Sequence, residues 1–394
     1  MHDLTAAFSV PVRFPVRFTR HAWAPDNTVV ADCMPSAPGR PARALVVVDA
    51  GLVTADPGIV DRIQAWFRLR EQGPHLAAQP LVLAGGEAAK ADWSTVDRVM
   101  DQAAELQLCR HSYVLALGGG ALLDAVGLAA ALVHRGLRLV RMPSTTLGQC
   151  DAGLGVKNAI NAYQQKNFLG TFQPPWAVID DLALLDLQDD RSWRAGISEA
   201  VKVGVIKDAD FVRRIAALAP AIASRDPAAM AEVVHRCAAL HLDHISTGGD
   251  PFETGSSRPL DFGHWTAHRL EILTRHRLLH GEAVAIGVAI DAAYAVRSGW
   301  LSEEDGLMIA KALTGVGLPL WDASLDLRDA DGRRSILAGL EQFRAHLGGH
   351  LTLAMPDGLG RRQDIHAVDP VRLDQALSLV GRWRRPHAAG VPSH

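Results

Sequence analysis

The stretch Tyr113-Val114-Leu115-Ala116-Leu117-Gly118-Gly119-Gly120-Ala121-Leu122-Leu123-Asp124 decides the fold class. Its apolar start lacks polar alternation and reads as a strand buried on both faces. It runs straight into three glycines, and a helical period opens at Leu122 with Asp124 in its first turn. A strand that ends in a glycine turn at a helix start lets the backbone approach a pyrophosphate, whose charge the helix N-terminus favours. The same glycines also suit a plain tight turn, and they do not form the G-x-G-x-x-G fingerprint.

The unit repeats on both sides. Ala44 to Asp49 is an apolar run ending in a carboxylate, followed by a helical stretch from Val60 to Leu69 and a second buried strand at Leu81-Val82-Leu83. Ser94 with Asp97 reads as a capping box for the next helix. Leu137 to Arg141 and Ala177 to Ile179 supply a fourth and a fifth strand. Alternating strands and helices predict an α/β domain with a parallel sheet and ligands at the strands' carboxyl ends. Upstream, the first twenty residues alternate, as in Phe8 to Phe14, like a short β-ribbon, and Pro35, Gly39 and Pro41 mark a loop. From about Ser192 the period becomes helical, in segments 195–218, 227–245, 264–274, 280–297 and 303–314. The expected division is therefore an α/β domain over 1–190 and a mainly α-helical domain over 191–394, with a loose tail after Arg385.

Bulk composition narrows the function classes. A chain of 394 residues with a formal charge of −3 gives no reason to expect nucleic acid or an anionic membrane surface as partner. No apolar run is long enough to span a bilayer, and Met1-His2-Asp3-Leu4 lacks the start of a signal peptide. Cys33, Cys109, Cys150 and Cys237 have neither C-x-x-C spacing nor a disulfide pattern. A cytoplasmic protein is the expectation.

Three constellations carry chemistry. At the strand ends, Asp49 suits a ribose hydroxyl, and Glu87 with Lys90 suits the adenosine side, although a solvated loop pair would look the same. The span from Pro143-Ser144-Thr145-Thr146 through Asp151, Lys157, Lys166 and Asn167 to Gly170 concentrates hydroxyls, a carboxylate, two lysines and an amide in a Gly-rich stretch of low helical periodicity. That density suits a polyhydroxylated, phosphorylated ligand. The third set comes from the helical half. Glu199 and Lys202 share a face of an apolar helix, where both are expensive to bury unless paired or bound. His264 and His268 lie four apart on one helix and His280 opens the next. Glu199 is the obvious further ligand, and a carboxylate with histidines and open positions suits a catalytic zinc.

Taken together, Gly118-Gly119-Gly120 with Asp124, Pro143-x-Thr145-Thr146, Asp151, Lys157, Lys166-Asn167, Glu199-x-x-Lys202, and His264-x-x-x-His268 before His280-Gly281-Glu282 resemble the dehydroquinate synthase superfamily, the sugar phosphate cyclases. The resemblance implies that Glu199, His264 and His280 ligate zinc, with cobalt as a substitute. It implies that Asp151, Lys157, Lys166, Asn167, Lys202 and His268 line the substrate pocket. Asp49, Glu87, Lys90, Gly118, Gly119, Gly120, Asp124, Thr145 and Thr146 would hold NAD in a Rossmann-like site. Arg135 would reach the phosphate of a sugar phosphate bound in the other subunit of a homodimer. The implied reaction oxidises a secondary alcohol transiently with NAD, eliminates phosphate, returns the hydride and closes a carbocycle by an intramolecular aldol step.

Departures from that pattern bear on the substrate. Dehydroquinate synthases carry Asn where this chain has Asp261, and a lysine in the helix that here reads Leu240-His241-Leu242-Asp243-His244. Arg258 falls one place from the family's carboxylate-binding arginine. Phe343 to Gly349 resembles the sedoheptulose 7-phosphate cyclases such as 2-epi-5-epi-valiolone synthase, whereas His268 is as in dehydroquinate synthase. The chain therefore looks closest to the dehydroquinate synthase-like EboD-type group. The expected activity is a lyase-type cyclase on a seven-carbon ketose phosphate, with sedoheptulose 7-phosphate preferred. Alternatives are 3-dehydroquinate synthase proper, which acts on 3-deoxy-heptulosonate 7-phosphate, an iron-alcohol or glycerol dehydrogenase-like oxidoreductase, and a non-catalytic binding protein.

Overall fold

The computed structural model describes residues 3–36, 39–70, 72–163, 165–248, 250–252, 255 and 257–384; the tail after Arg385 lies outside them. Two compact units emerge. One comprises Met1–Ser144 with Gly155–Ala183, the other Thr145–Leu154 with Leu184–His394. The ten residues from Thr145 thus leave the first unit and return to it.

The first unit is the expected α/β layer. Its strands are β1 (Val16–Thr19), β2 (Arg43–Asp49), β3 (His75–Leu76), β4 (Leu81–Leu83), β5 (Tyr113–Gly118), β6 (Arg138–Pro143), β7 (Lys157–Ala162), β8 (Gln165–Phe172) and β9 (Ala177–Asp181). Its helices are α1 (Val29–Cys33), α2 (Ala50–Ala55), α3 (Ile59–Arg68), α4 (Ser94–Glu105) and α5 (Gly120–Leu132). Among the described residues β1, β9, β6, β5 and β2 lie side by side in that order, all parallel, with β3 and β4 sharing the far edge of β2. Every residue of β5 is buried, as its unbroken apolar run requires.

Several local expectations fail for identifiable reasons. Of the ribbon expected over the first twenty residues only β1 forms; residues 3–15 form no strand, since Pro11 and Pro15 cannot donate to a ladder, and Phe8 is 86% exposed. Strand β4 is an edge, not a buried strand, and Val82 faces outward. The Ser94 and Asp97 box is absent. Helix α4 starts at Ser94, whose N–H donates to Asp92 at 2.8 Å. Helix α5 begins at Gly120, two residues early, which moves Asp124 into its second turn. The Gly-rich span of low helical periodicity after Lys157 forms the antiparallel hairpin β7–β8, with its irregularity near Ile160 and Ala162. The fully buried Arg141 donates to the carbonyls of Gly155 and Lys157 and to Asn158 Oδ1, which fixes the hairpin's base.

The second unit is helical: α6 (Asp190–Ala195), α7 (Ile197–Lys207), α8 (Ala209–Ala223), α9 (Pro227–Thr247), α10 (His264–Leu273), α11 (His280–Arg297), α12 (Glu303–Gly315), α13 (Ala338–His346) and α14 (Pro370–Trp383), with one hairpin, β10 (Leu353–Pro356) and β11 (Arg362–Ile365). The single segment expected over 195–218 breaks at Asp208. That residue turns extended and caps α8 by accepting from Phe211 N at 3.1 Å. The most buried helix is α11, whose residues from Gly281 to Ala295 are all buried. It packs on α10, and the two touch through glycine: a Cβ at Gly287 would lie 2.0 Å from the carbonyl oxygen of Gly263. Gly263 itself has φ +80°, a left-handed conformation that only glycine adopts freely. No helix among the described residues is long and apolar enough to cross a membrane.

Candidate functional site

The helical unit brings the proposed metal ligands together. Glu199 projects from the buried face of α7, His264 is the first residue of α10, and His280 is the first of α11. One ligand atom from each lies within 4.8 Å of the others. Glu199 is fully buried, and its Oε1 faces His264 Nε2 at 3.9 Å and His280 Nε2 at 3.7 Å. These separations are too long for hydrogen bonds. Two ligands of a tetrahedral zinc with ordinary bond lengths stand about 3.4 Å apart. A buried carboxylate oxygen without a hydrogen-bond partner, opposed by two imidazole nitrogens at this spacing, fits a divalent cation.

Local electrostatics keeps the nitrogens available. Burial, with Lys202 close by, holds the His264 imidazole well below its usual pKa and therefore neutral. Its Nδ1 sits 3.2 Å from the carbonyl oxygen of Phe262, an arrangement that leaves Nε2 as the acceptor. On the other flank of Glu199, Oε2 is ion-paired with Lys202, which is also buried. Burial opposes the lysine's charge, but Glu199 and Asp151 more than offset it and hold the ammonium above its ordinary range. Burial likewise raises the Glu199 carboxyl, against the pull of Lys202.

Of the other residues expected on this side, His268 is exposed one turn along α10, its ring 5.4 Å from that of His264 and 6.0 Å from that of His280. Asp151 stands in the π-type turn Gly148–Ala152, 3.2 Å from Nδ1 of the buried His241. The turn is anchored on α9, where Cys237 Sγ donates to the Cys150 carbonyl at 3.3 Å. Thr145 and Thr146 belong to this unit. Thr145 Oγ1 accepts from Gly148 N and Thr146 Oγ1 from Gln188 Nε2, so both hydroxyls already serve the turn.

The α/β unit gathers the residues expected to hold a dinucleotide. Asp49 caps α2 by accepting from Gly51 N at 2.8 Å, and its other oxygen lies 3.5 Å from Gly119 N. The cradle leaves no room for side chains. A Cβ at Gly118 would lie 2.6 Å from Leu122, and one at Gly85 would lie 2.1 Å from the Asp49 carboxylate. No side chain caps α5, so the N–H groups of its first turn remain available to a phosphate. Lys90 and Asp124 form a largely buried ion pair at 2.6 Å. Lys166 approaches Glu87 at 3.7 Å, and Asn167, at φ 54°, donates its N–H to Asn161. Lys157 is exposed at the start of β7. Arg135 stands apart from all of these, in an open depression of about 480 Å³ that it shares with Arg110, Arg138 and Trp176.

Three polar groups of the helical unit escaped the sequence reading. Glu271 is 3% exposed and lies 3.4 Å from His280. Its i,i+3 spacing from His268 is a legible signal. His241 stands in the helix that lacks the family's lysine, and the sequence gives it no role of its own. Asp291 gives no local signal at all. It is buried mid-helix in α11 and accepts from Gly263 N at 3.0 Å and Trp265 Nε1 at 2.9 Å, which clamps the approach to His264. Burial, against those two hydrogen bonds, pushes its carboxyl up to about 7. The folded chain then holds a proton that the unfolded chain releases between about pH 4 and 7, so this contribution to stability declines as pH rises through that window. Asp291→Asn is expected to lose one hydrogen bond, about 1 kcal/mol, at low pH and to gain on the parent as pH rises. Urea unfolding at pH 5 and pH 8 tests this; a stability difference independent of pH would refute it.

Profiles for the 3-dehydroquinate synthase N-terminal and C-terminal domains match residues 80–195 and 196–332. A 3-dehydroquinate synthase of Jannaschia sp. (strain CCS1) is 34% identical over 349 residues, 88% of this chain and 92% of that one. The structure of 2-epi-5-epi-valiolone synthase from Streptomyces hygroscopicus subsp. jinggangensis 5008, with NAD+ and Zn2+ bound, superposes with a TM-score of 0.84 at 28% identity, covering 96% of this chain and 99% of that one. A 2-deoxy-scyllo-inosose synthase complexed with carbaglucose-6-phosphate, NAD+ and Co2+ shares the fold, with a TM-score of 0.71 at 23% identity over 94% of this chain and 96% of that one.

Proposed function

This chain belongs to the 3-dehydroquinate synthase family, and we propose that it is an NAD- and zinc-dependent sugar phosphate cyclase, a carbon–oxygen lyase acting on a seven-carbon ketose phosphate. The observation that carries this reading is the buried Glu199, with its Oε1 turned toward Nε2 of both His264 and His280. Glu199, His264 and His280 would hold the cation; Asp49, Glu87, Lys90, Asp124, the glycines 118–120 and the Thr145–Thr146 pair would hold NAD. When bound, these groups would supply a Lewis acid for the substrate alcohol and a hydride acceptor that is regenerated when the hydride is returned in the same turnover. The remaining residues bind and orient the sugar phosphate. Lys202 and Asp151 would hold hydroxyls, and His268, the exposed imidazole of the group, would exchange protons with solvent. Lys157, Lys166 and Asn167 supply cationic and amide donors for hydroxyl or phosphate oxygens. Arg135, set apart in its arginine-lined depression, serves the phosphate in the second subunit of a homodimer.

The lean toward a substrate without a carboxylate rests on charge. Lys202 stands in the field of three carboxylates, Glu199, Asp151 and Asp261, and His241 pairs with Asp151. Lys202 is thus already paired rather than held for a substrate carboxylate, which favours a chain without one, such as that of sedoheptulose 7-phosphate. A second reading, 3-dehydroquinate synthase proper, is favoured by the curated relative of that name. Phosphate release should therefore be measured over a panel of ketose phosphates with NAD+ and Zn2+ or Co2+. We expect turnover of sedoheptulose 7-phosphate without accumulation of NADH. Release from 3-deoxy-heptulosonate 7-phosphate alone would establish the second reading instead.

A further inference from the structure

We propose that Glu271 is the positioning residue of the metal centre, acting through His280. The inference rests on the metal reading above and deepens it. Two overlapping groups of ligand-type side chains share His280: Glu199 with His264, and Glu271 with His268. The two nitrogens of the ring face different carboxylates. Nε2 lies 3.7 Å from Glu199 Oε1, and Nδ1 lies 3.4 Å from Glu271 Oε2. An imidazole donates through one nitrogen and ligates through the other, so the ring cannot serve a cation on both sides while neutral.

Burial decides which side is which. Glu199 is fully buried and Glu271 is 3% exposed, but their surroundings differ. Beside Glu199 stands His264, whose Nδ1 is already committed to the Phe262 carbonyl, leaving Nε2 to ligate. Beside Glu271 the third group is His268, which is exposed. The cation therefore takes Nε2 of His280, and Glu271 takes the Nδ1 proton. The 3.4 Å separation closes to a hydrogen bond with a small rotation of the ring. A carboxylate behind a ligating histidine fixes its tautomer, orients it and raises its basicity. His264 and His280 are then held alike, one by a backbone carbonyl and the other by a carboxylate.

The test uses the purified full-length chain stripped of metal. Glu271→Ala is expected to weaken Co2+ and Zn2+ affinity about 10–100-fold and to shift the visible Co2+ bands. Glu271→Gln, which keeps an acceptor, should recover most of the affinity, with thermal melts of the apo proteins controlling for folding. In the parent apo protein, 15N spectra of histidine should show His280 as the Nδ1–H tautomer, a readout that needs no variant. Parental Co2+ affinity and spectrum in Glu271→Ala, or an Nε2–H tautomer at His280, would overturn the assignment. So would loss of all binding in Glu271→Ala with stoichiometric metal retained in Glu199→Ala, since the cation would then sit among His268, Glu271 and His280. Absence of phosphate release from every ketose phosphate by the metal-loaded parent would refute the cyclase reading while leaving these metal measurements intact.

Discussion

Replacing Glu199 with alanine is expected to remove the metal and the activity together. The side chain supplies the carboxylate of the proposed site, and its Oε1 is opposed by two imidazole nitrogens, that of His264 turned toward it by the ring's hydrogen bond to the Phe262 carbonyl. Losing a ligand should exceed the loss from a supporting group, so turnover should fall by more than about a hundredfold. The substitution also leaves Lys202, 1% exposed, without its ion-pair partner. Removing one member of a buried pair destabilises by about 3–5 kcal/mol, so part of any effect in Glu199→Ala reports stability. Glu199→Gln separates the two. It preserves volume and an acceptor for Lys202 but is a poor ligand, and should fold while binding less metal. The measurement is metal content by atomic absorption alongside phosphate release and urea unfolding. Metal retained at parental stoichiometry in both variants would sink the ligand assignment.

The second large effect comes from a residue with no chemistry. Gly287→Ala places a methyl group 2.0 Å from the Gly263 carbonyl oxygen, where the obstacle is backbone and cannot rotate away. The neighbouring Gly263 is already in the left-handed region, and its N–H is held by Asp291, so α10 can yield only by shifting as a body. Overpacking of this kind destabilises by about 3 kcal/mol. Because His264 opens α10 and His280 opens α11, any separation of the two helices should also lengthen the ligand spacing and weaken metal binding. Denaturant unfolding and Co2+ titration of Gly287→Ala should both move. Parental stability would refute the close glycine contact between α10 and α11.

How much of this was legible beforehand follows from the range of the forces involved. Period and punctuation are local, so the strand that runs into Gly118 and the helices bearing Glu199, His264 and His280 were readable directly. The errors cluster where a local pattern lacked its partner. Phe8 to Phe14 has the alternation of a strand but no ladder to join, and Leu81-Val82-Leu83 has the composition of a central strand but an edge position. Low helical periodicity after Lys157 does not show that the run pairs within itself, as a hairpin held at its base by Arg141. Glu271, His241 and Asp291 were missed because each acquires its role from a residue on another element or across a helix pair.

By itself the sequence determined the parallel α/β layer, the helical half, and the residue types available for a cation and a dinucleotide. These depend on apolar period, glycine placement and side-chain chemistry, all of which are written locally. The tertiary structure alone decided that Thr145–Leu154 joins the helical unit and which nitrogen of His280 faces Glu199. It also decided that Gly263 and Gly287 must be glycine for α10 and α11 to meet. Those are matters of distance between segments far apart in the chain, and a distance of a few ångströms is fixed only when the core packs.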